Sequence, residues 1–159
     1  MTASAASDPW ADDAIALYAR FRAGELSPDD LLAELPQIWR CRPRRDPLGN
    51  PEAWRRMFEH AGYFEWKSGE SRGRRARRPW RRQLLYRGAT EDRRLGLSWT
   101  KNPRIAEHFA RHRQPDGETG HVWTGVFAPS LLLARVRDEQ EFLVRAGGAK
   151  VRRLRTPVP

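Results

Sequence analysis

Cysteine is nearly absent from this chain: among 159 residues only Cys41 carries a thiol. A single thiol excludes an internal disulfide and any cysteine-rich zinc site. Neither staple is required, because a chain of this length buries roughly two thirds of the surface its unfolded form exposes. Long apolar runs are missing as well, so no stretch reaches the ~20 residues that a membrane-crossing helix needs. The leading segment MTASAASDPWADD has no basic stretch followed by an apolar one, so a cleaved secretion signal is not expected. A reducing, cytoplasmic setting is the resulting expectation.

Lysine is scarce too: Lys67, Lys101 and Lys150 are the only three, so 27 of the 30 basic residues are arginine. The net charge of +10 is unevenly spread. Residues 1–66 hold 8 basic and 11 acidic side chains, residues 67–82 hold 8 and 1, and residues 83–159 hold 14 and 8. Arginine abundance of this kind also follows from GC-rich coding, so it does not by itself mean phosphate recognition.

The first third reads as helices. Ile15, Tyr18 and Phe21 recur at helical spacing between Asp12 and Arg22, and Gly24 offers a stop. Ser27-Pro28-Asp29-Asp30 is a helix start, with an N-cap, a proline at the first position and acids in the first turn. Leu31, Leu32, Leu35, Ile38 and Trp39 give that helix its apolar face, and Pro36 is expected to kink or divide it. A third helix is expected from Asn50-Pro51 to about His60.

The segment KSGESRGRRARRP, residues 67–79, has no apolar period and a dense like-charge run, which predicts a mobile linker or surface loop. After it come short β-prone runs: 83–87, 96–100, 121–127, 131–136, 140–144 and 150–154. One helix, started by Asn102-Pro103, sits between the second and third of them. The fold class expected is therefore α+β: an N-terminal helical region (1–66), an Arg-rich linker or loop (67–80), and a mostly antiparallel, strand-rich core (81–159).

Three elements of that core carry chemistry. Leu84-Leu85-Tyr86-Arg87-Gly88 is a strand ending in a permanently charged planar fork suited to phosphate oxygens, followed by a glycine that lets backbone approach a ligand. In Ser98-Trp99-Thr100 strand alternation puts both hydroxyls on one face. In Glu139-Gln140-Glu141-Phe142-Leu143-Val144 the same alternation puts two carboxylates on one face, with Phe142 and Val144 anchoring the other. Like charges on one strand face cost stability unless a cation or ligand compensates. Taken one at a time, each element also reads as an ion-paired arginine, a half-buried strand or a solvated acidic edge.

In order and spacing these elements resemble the R-S-E group of ADP-ribosyltransferases, over about residues 83–155. The resemblance implies a split β-sheet core that binds NAD, with transfer of ADP-ribose to a macromolecular acceptor. Arg87 would hold the phosphate side, Gly88 the nicotinamide amide, and Ser98 would fix the cofactor or orient a glutamate. Glu141 would bond the ribose 2′-hydroxyl as the principal catalytic residue, and Glu139 would accept the proton of the attacking acceptor. Thr100 and the aromatic Phe109 complete the expected NAD-binding set. E-x-E is the form associated in that group with arginine acceptors, which implies a protein arginine. The loop before it, Arg135-Val136-Arg137-Asp138, lacks the aromatic that often helps recognise the acceptor, and so leaves its identity open. NAD hydrolysis, and roles as toxin, effector or phage-encoded modifier, all fit the resemblance.

Two other readings belong to different classes. A basic nucleic-acid-binding protein would use the arm between Arg72 and Arg82, with Arg74, Arg75, Arg77 and Arg78 on phosphates and Trp80 stacked on a base. A non-catalytic binding or inhibitor protein would keep the fold without turnover. His108 and His112 lie four apart on an expected helix face but lack a matching carboxylate signature, so no metal is assigned.

Overall fold

The structure is a computed structural model of the chain, and it describes residues 8–114 and 117–155. Three helices come first: α1 (Pro9–Arg22), α2 (Pro28–Cys41) and α3 (Pro51–Ala61). Each is capped by a side chain that accepts a backbone N–H, Asp8 from Trp10, Ser27 from Asp30 and Asn50 from Glu52, and a proline follows in the first turn. At α2 the cap is reciprocal: the Asp30 N–H donates to Ser27 Oγ at 3.2 Å and the Ser27 N–H returns a bond to the Asp30 carboxylate at 2.8 Å. Those bonds hold the Asp30 carboxyl below its ordinary range.

Helix α2 runs unbroken through Pro36. Proline has no N–H, so the carbonyl four residues earlier, that of Leu32, loses its helical partner. The Gly73 N–H takes that carbonyl at 2.7 Å, and the helix continues. This bond is also a tether for the Arg-rich segment.

The strands are β1 (Phe64–Trp66), β2 (Arg74–Arg75), β3 (Gln83–Ala89), β4 (Ser98–Thr100), β5 (His121–Phe127), β6 (Leu132–Val136), β7 (Glu141–Val144) and β8 (Arg152–Arg153), with helix α4 (Pro103–His112) between β4 and β5. They form one eight-stranded mixed sheet in the order β2-β1-β6-β7-β4-β3-β5-β8. Only the β1–β6 pairing is parallel among the described residues. The α+β class stands, with a sheet that is continuous rather than divided. Its narrowest seam lies between β3 and β4, which share the single register pair Tyr86↔Thr100.

Two apolar clusters lie against the sheet. One packs Leu31, Leu35, Trp54, Met57 and Phe58 of α2 and α3 against Phe64, Trp66, Ala134 and Leu143 of the strands. The other gathers Leu85, Trp99, Trp123, Phe127, Phe142 and Val144. Helix α4 lies on β3 so closely that a Cβ on Gly88 would overlap the Ala106 carbonyl oxygen.

The segment expected as a mobile linker or surface loop runs over the sheet as a strap. In sheet order β2 and β3 are five strand intervals apart, about 24 Å at ~4.8 Å each. The chain from Arg75 to Gln83 reaches ~26–29 Å when fully extended, so it must run largely extended. Arg78 Nε donates to the Leu132 carbonyl at 3.0 Å midway, and Arg75 bonds both Asp29 at 3.0 Å and the Ala61 carbonyl at 3.1 Å. The like-charge run pulled toward disorder; these tertiary acceptors overrode it. Strands β1 and β2 were not foreseen, since a three-residue strand followed by an arginine pair leaves no alternating pattern to read. Among the described residues no helix is long and apolar enough to cross a membrane.

Candidate functional site

A cavity of about 690 Å3 opens between the C-terminal end of α2 and helix α4, with β3, β4 and β7 beneath it. This is the ordinary size of a small-molecule site. Arg87, Gly88, Ser98, Thr100, Phe109, Glu139 and Glu141 all line it. Residues up to 54 positions apart in sequence thus share one wall, because β4 is hydrogen-bonded to β7 on one side and β3 on the other.

At its centre the Ser98 hydroxyl donates to Glu141 Oε1 at 2.6 Å. Ser98 pairs with Leu143 and Thr100 with Glu141, so the serine reaches the glutamate diagonally across the two strands. The bond is short and charge-assisted, the kind that fixes a carboxylate's orientation. Thr100 is buried, and its hydroxyl accepts the Asn102 N–H at 3.1 Å, so it serves the turn that starts α4 while still lining the cavity.

Arg87 is engaged with the protein itself. Its Nε donates to the Arg93 carbonyl at 3.0 Å and its Nη1 to the Ser98 carbonyl at 2.8 Å. The guanidinium therefore stitches the β3–β4 connection to the strand that carries Ser98. Burial, reinforced by the nearby charge of Arg42 and opposed by Glu141, lowers its pKa to about 10, which leaves it cationic at neutral pH. Gly96 lies against the guanidinium, where a Cβ would collide with it.

Glu139 departs from the expected geometry. It lies not on the strand but in the turn of residues 137–140, and β7 begins at Glu141. Gln140 has φ +53°, a left-handed conformation, so simple strand alternation does not relate the two glutamates. Both nonetheless face the same cavity. Burial, then the charges of Glu141 and Asp138, raise the Glu139 pKa, with Arg40 opposing.

The N-terminal helices supply a wall that lay outside the sequence motif. Trp39, Arg40, Arg42 and Arg44 come from the end of α2 and the turn after it. The Arg42 guanidinium lies over the Trp39 ring, 3.3 Å from its centroid, and donates to the Trp39 carbonyl. Burial lowers its pKa to about 10, against the opposing charges of Glu141 and Asp46. Arg93 and Arg113 also line the cavity, so six arginines face two glutamates there. The basic run Arg40-Cys41-Arg42-Pro43-Arg44-Arg45 was the only sequence signal for this wall. Nothing local indicates which way it faces.

Phe109 is about half exposed at the cavity's edge, beside Ile105. Gln114 ties α4 to β3, its amide donating to the Phe109 carbonyl at 2.9 Å and its oxygen accepting the Thr90 N–H at 3.1 Å. His108 and His112 stack at 4.9 Å between centroids, and no group of three or more His, Cys, Asp or Glu side chains able to hold a metal ion exists among the described residues. Of the arm residues weighed for nucleic acid, Arg74 pairs with Glu70 at 3.7 Å, and Arg75 and Arg78 are bonded as described above. Arg77 and Trp80 are exposed and stand clear of the cavity.

No protein-family profile, curated protein or solved structure matches the chain.

Proposed function

We propose that the chain is an NAD-dependent mono-ADP-ribosyltransferase, which breaks the bond between nicotinamide and ribose and passes ADP-ribose to a macromolecular acceptor, a protein arginine first among them. The observation that carries this reading is the 2.6 Å bond from Ser98 Oγ to Glu141 Oε1, in the cavity that Arg87 and Glu139 also line. The donor set fits the substrate. A dinucleotide brings a doubly charged pyrophosphate, and the cavity holds an excess of arginine guanidinium groups. Its volume is of the right order, and Tyr86 and Phe109 offer aromatic surface for the planar rings.

The roles follow from the chemistry. As the C–N bond breaks, nicotinamide leaves with the bonding electrons and the ribose develops oxocarbenium character, which a fixed carboxylate beside it stabilises. Glu141, held by Ser98, is that carboxylate. The acceptor nitrogen then forms the new bond to the ribose carbon and gives up a proton, and Glu139 is the group that receives it. Arg42 and Arg87 line the same cavity, and both guanidinium groups interact electrostatically with Glu141. With water as acceptor the same steps amount to NAD hydrolysis.

The test is direct. Purified protein is incubated with adenine-labelled NAD and a bacterial lysate, and both nicotinamide release and labelled product are measured. The expected effect of Glu141→Gln is a fall in release of roughly 10²- to 10³-fold, with NAD still bound. Tight NAD binding without turnover by the wild type would point instead to a binding or inhibitor protein, and no NAD binding at all would sink the reading.

A further inference from the structure

A second surface is assembled away from the cavity. The strap reaches β3 through Trp80, Arg81 and Arg82, and there it meets a groove of about 510 Å3 lined by Arg82, Leu84, Val126, Lys150 and Arg152. The groove shares no lining residue with the cavity. Leu84 and Val126 are register partners across β3 and β5, and each is about half exposed. Trp80 is 80% exposed, with the Arg81 guanidinium 4.4 Å from its ring centroid. An open indole ring beside exposed arginines offers a platform on which a planar base can stack.

The charge on this face is one-sided. The segments that build it, 71–90, 119–137 and 142–155, contain no aspartate or glutamate. Arg77, Arg81, Arg82 and Arg152 are all exposed, and among the described residues none of them forms a salt bridge. Self-repulsion of this kind is relieved by a polyanion whose charges recur along its length.

We propose that the strap and groove bind single-stranded nucleic acid, with Trp80 stacking on a base and Arg77, Arg81, Arg82 and Arg152 contacting phosphates. A duplex keeps its bases stacked and would leave Trp80 and the Leu84–Val126 floor without a partner. A single strand offers both a charged backbone and free base faces, and so uses every element of the surface. Acidic peptides match the charge but offer the ring no base to stack on, and anionic vesicles are an arm of the test. The surface stands on its own residues and does not depend on NAD turnover.

Fluorescein-labelled oligo-dT and oligo-U of about 20 nucleotides are titrated with the full chain by anisotropy at several salt concentrations. Four exposed arginines are replaced together, Arg77→Gln, Arg81→Gln, Arg82→Gln and Arg152→Gln. A control of equal charge change replaces Arg22, Arg45, Arg56 and Arg111 with Gln. The surface variant is expected to lose about 3 from the slope of log affinity against log salt, at ~0.7 per phosphate contact, while the control loses less than 1. Trp80→Ala is expected to weaken binding about 10-fold with the slope unchanged, and Trp80→Phe to restore much of it. All these positions are exposed, and circular dichroism verifies that each variant is folded. Equal slopes for the two quadruple variants would overturn the proposal. So would binding that is indifferent to Trp80, equal displacement by polyglutamate or by a duplex of the same length, or binding to phosphatidylserine vesicles but not to the oligonucleotides. A preference between oligo-dT and oligo-U identifies which nucleic acid is read.

Discussion

The Ser98 hydroxyl holds one oxygen of Glu141 at 2.6 Å across two neighbouring strands. A carboxylate fixed in this way is held in one orientation on the wall of the cavity that it lines. Replacing Ser98 with Ala removes one hydrogen bond and little volume, so the fold should survive. The expected outcome is a 10- to 100-fold loss in the rate of nicotinamide release, about 1.4–2.7 kcal/mol of transition-state stabilisation, with little change in NAD affinity. Single-turnover kinetics beside equilibrium binding make the check. An unchanged rate would mean that the serine does not position the glutamate.

Arg87 is bonded to the carbonyls of Arg93 and Ser98, so its replacement acts on stability before it acts on any ligand. Arg87→Ala strands two acceptors and is expected to cost about 2–4 kcal/mol. Arg87→Lys keeps the charge but not the planar fork, and recovers at most one of the two bonds. Chemical denaturation should therefore rank wild type above Lys and Lys above Ala. If both variants matched the wild type in stability, the stitching role would be refuted.

Gly88→Ala tests how closely α4 rides on the sheet. The new methyl would overlap the Ala106 carbonyl and come within 2.5 Å of the Ala110 nitrogen, and both are helical backbone that cannot rotate away. The helix has to move outward and take Ile105 and Phe109 with it. The expected cost is about 1–3 kcal/mol or more, together with weakened NAD binding, measured by thermal unfolding with and without NAD. Gly49→Ala, at an open position with φ +62°, is the comparison that carries backbone strain but no clash.

Glu139 gives a pH signature. Its native pKa is raised by burial and by Glu141 and Asp138, so the folded state holds this proton more tightly than the unfolded state does. Stability attributable to the group is therefore greatest at low pH. It declines as pH rises from the ordinary glutamate range through the raised native value, above which the repulsion persists. Glu139→Gln should unfold at a higher temperature than wild type near neutral pH, and the difference should vanish in acid. In the role proposed for it, proton acceptor, Glu139 would act only when ionised, so transfer should rise with pH across the same window and lose that limb in the variant. Measuring Tm and rate at matched pH values checks both signs.

Much of this was legible locally. Ser27-Pro28 and Asn50-Pro51 start helices wherever they fall, because an N-cap oxygen and a proline at the first position act within four residues. The β-prone run His121–Phe127 marked a strand to the residue. Helix α2, by contrast, was expected to kink or divide at Pro36, and it runs undivided. The remedy came from Gly73, whose N–H supplies the missing donor to Leu32, and no window around Pro36 contains it. The Arg-rich segment was read as a mobile linker or surface loop, and its anchors were hidden for the same reason: its acceptors, Asp29, Ala61 and Leu132, belong to other elements.

By itself the sequence determined the α+β class, most of the element boundaries and the residue types that line the cavity. Those properties depend on side-chain period, capping and turn chemistry, which are interactions of short range along the chain. Only the tertiary structure decided that β4 lies between β3 and β7, which makes neighbours of Ser98 and Glu141. It alone turned Trp39 and Arg42 of the helical layer toward the same cavity, put Glu139 in a turn rather than on the strand, and drew the strap across the sheet. Each of those outcomes depends on which surfaces bury against one another, and burial is settled by the whole chain at once.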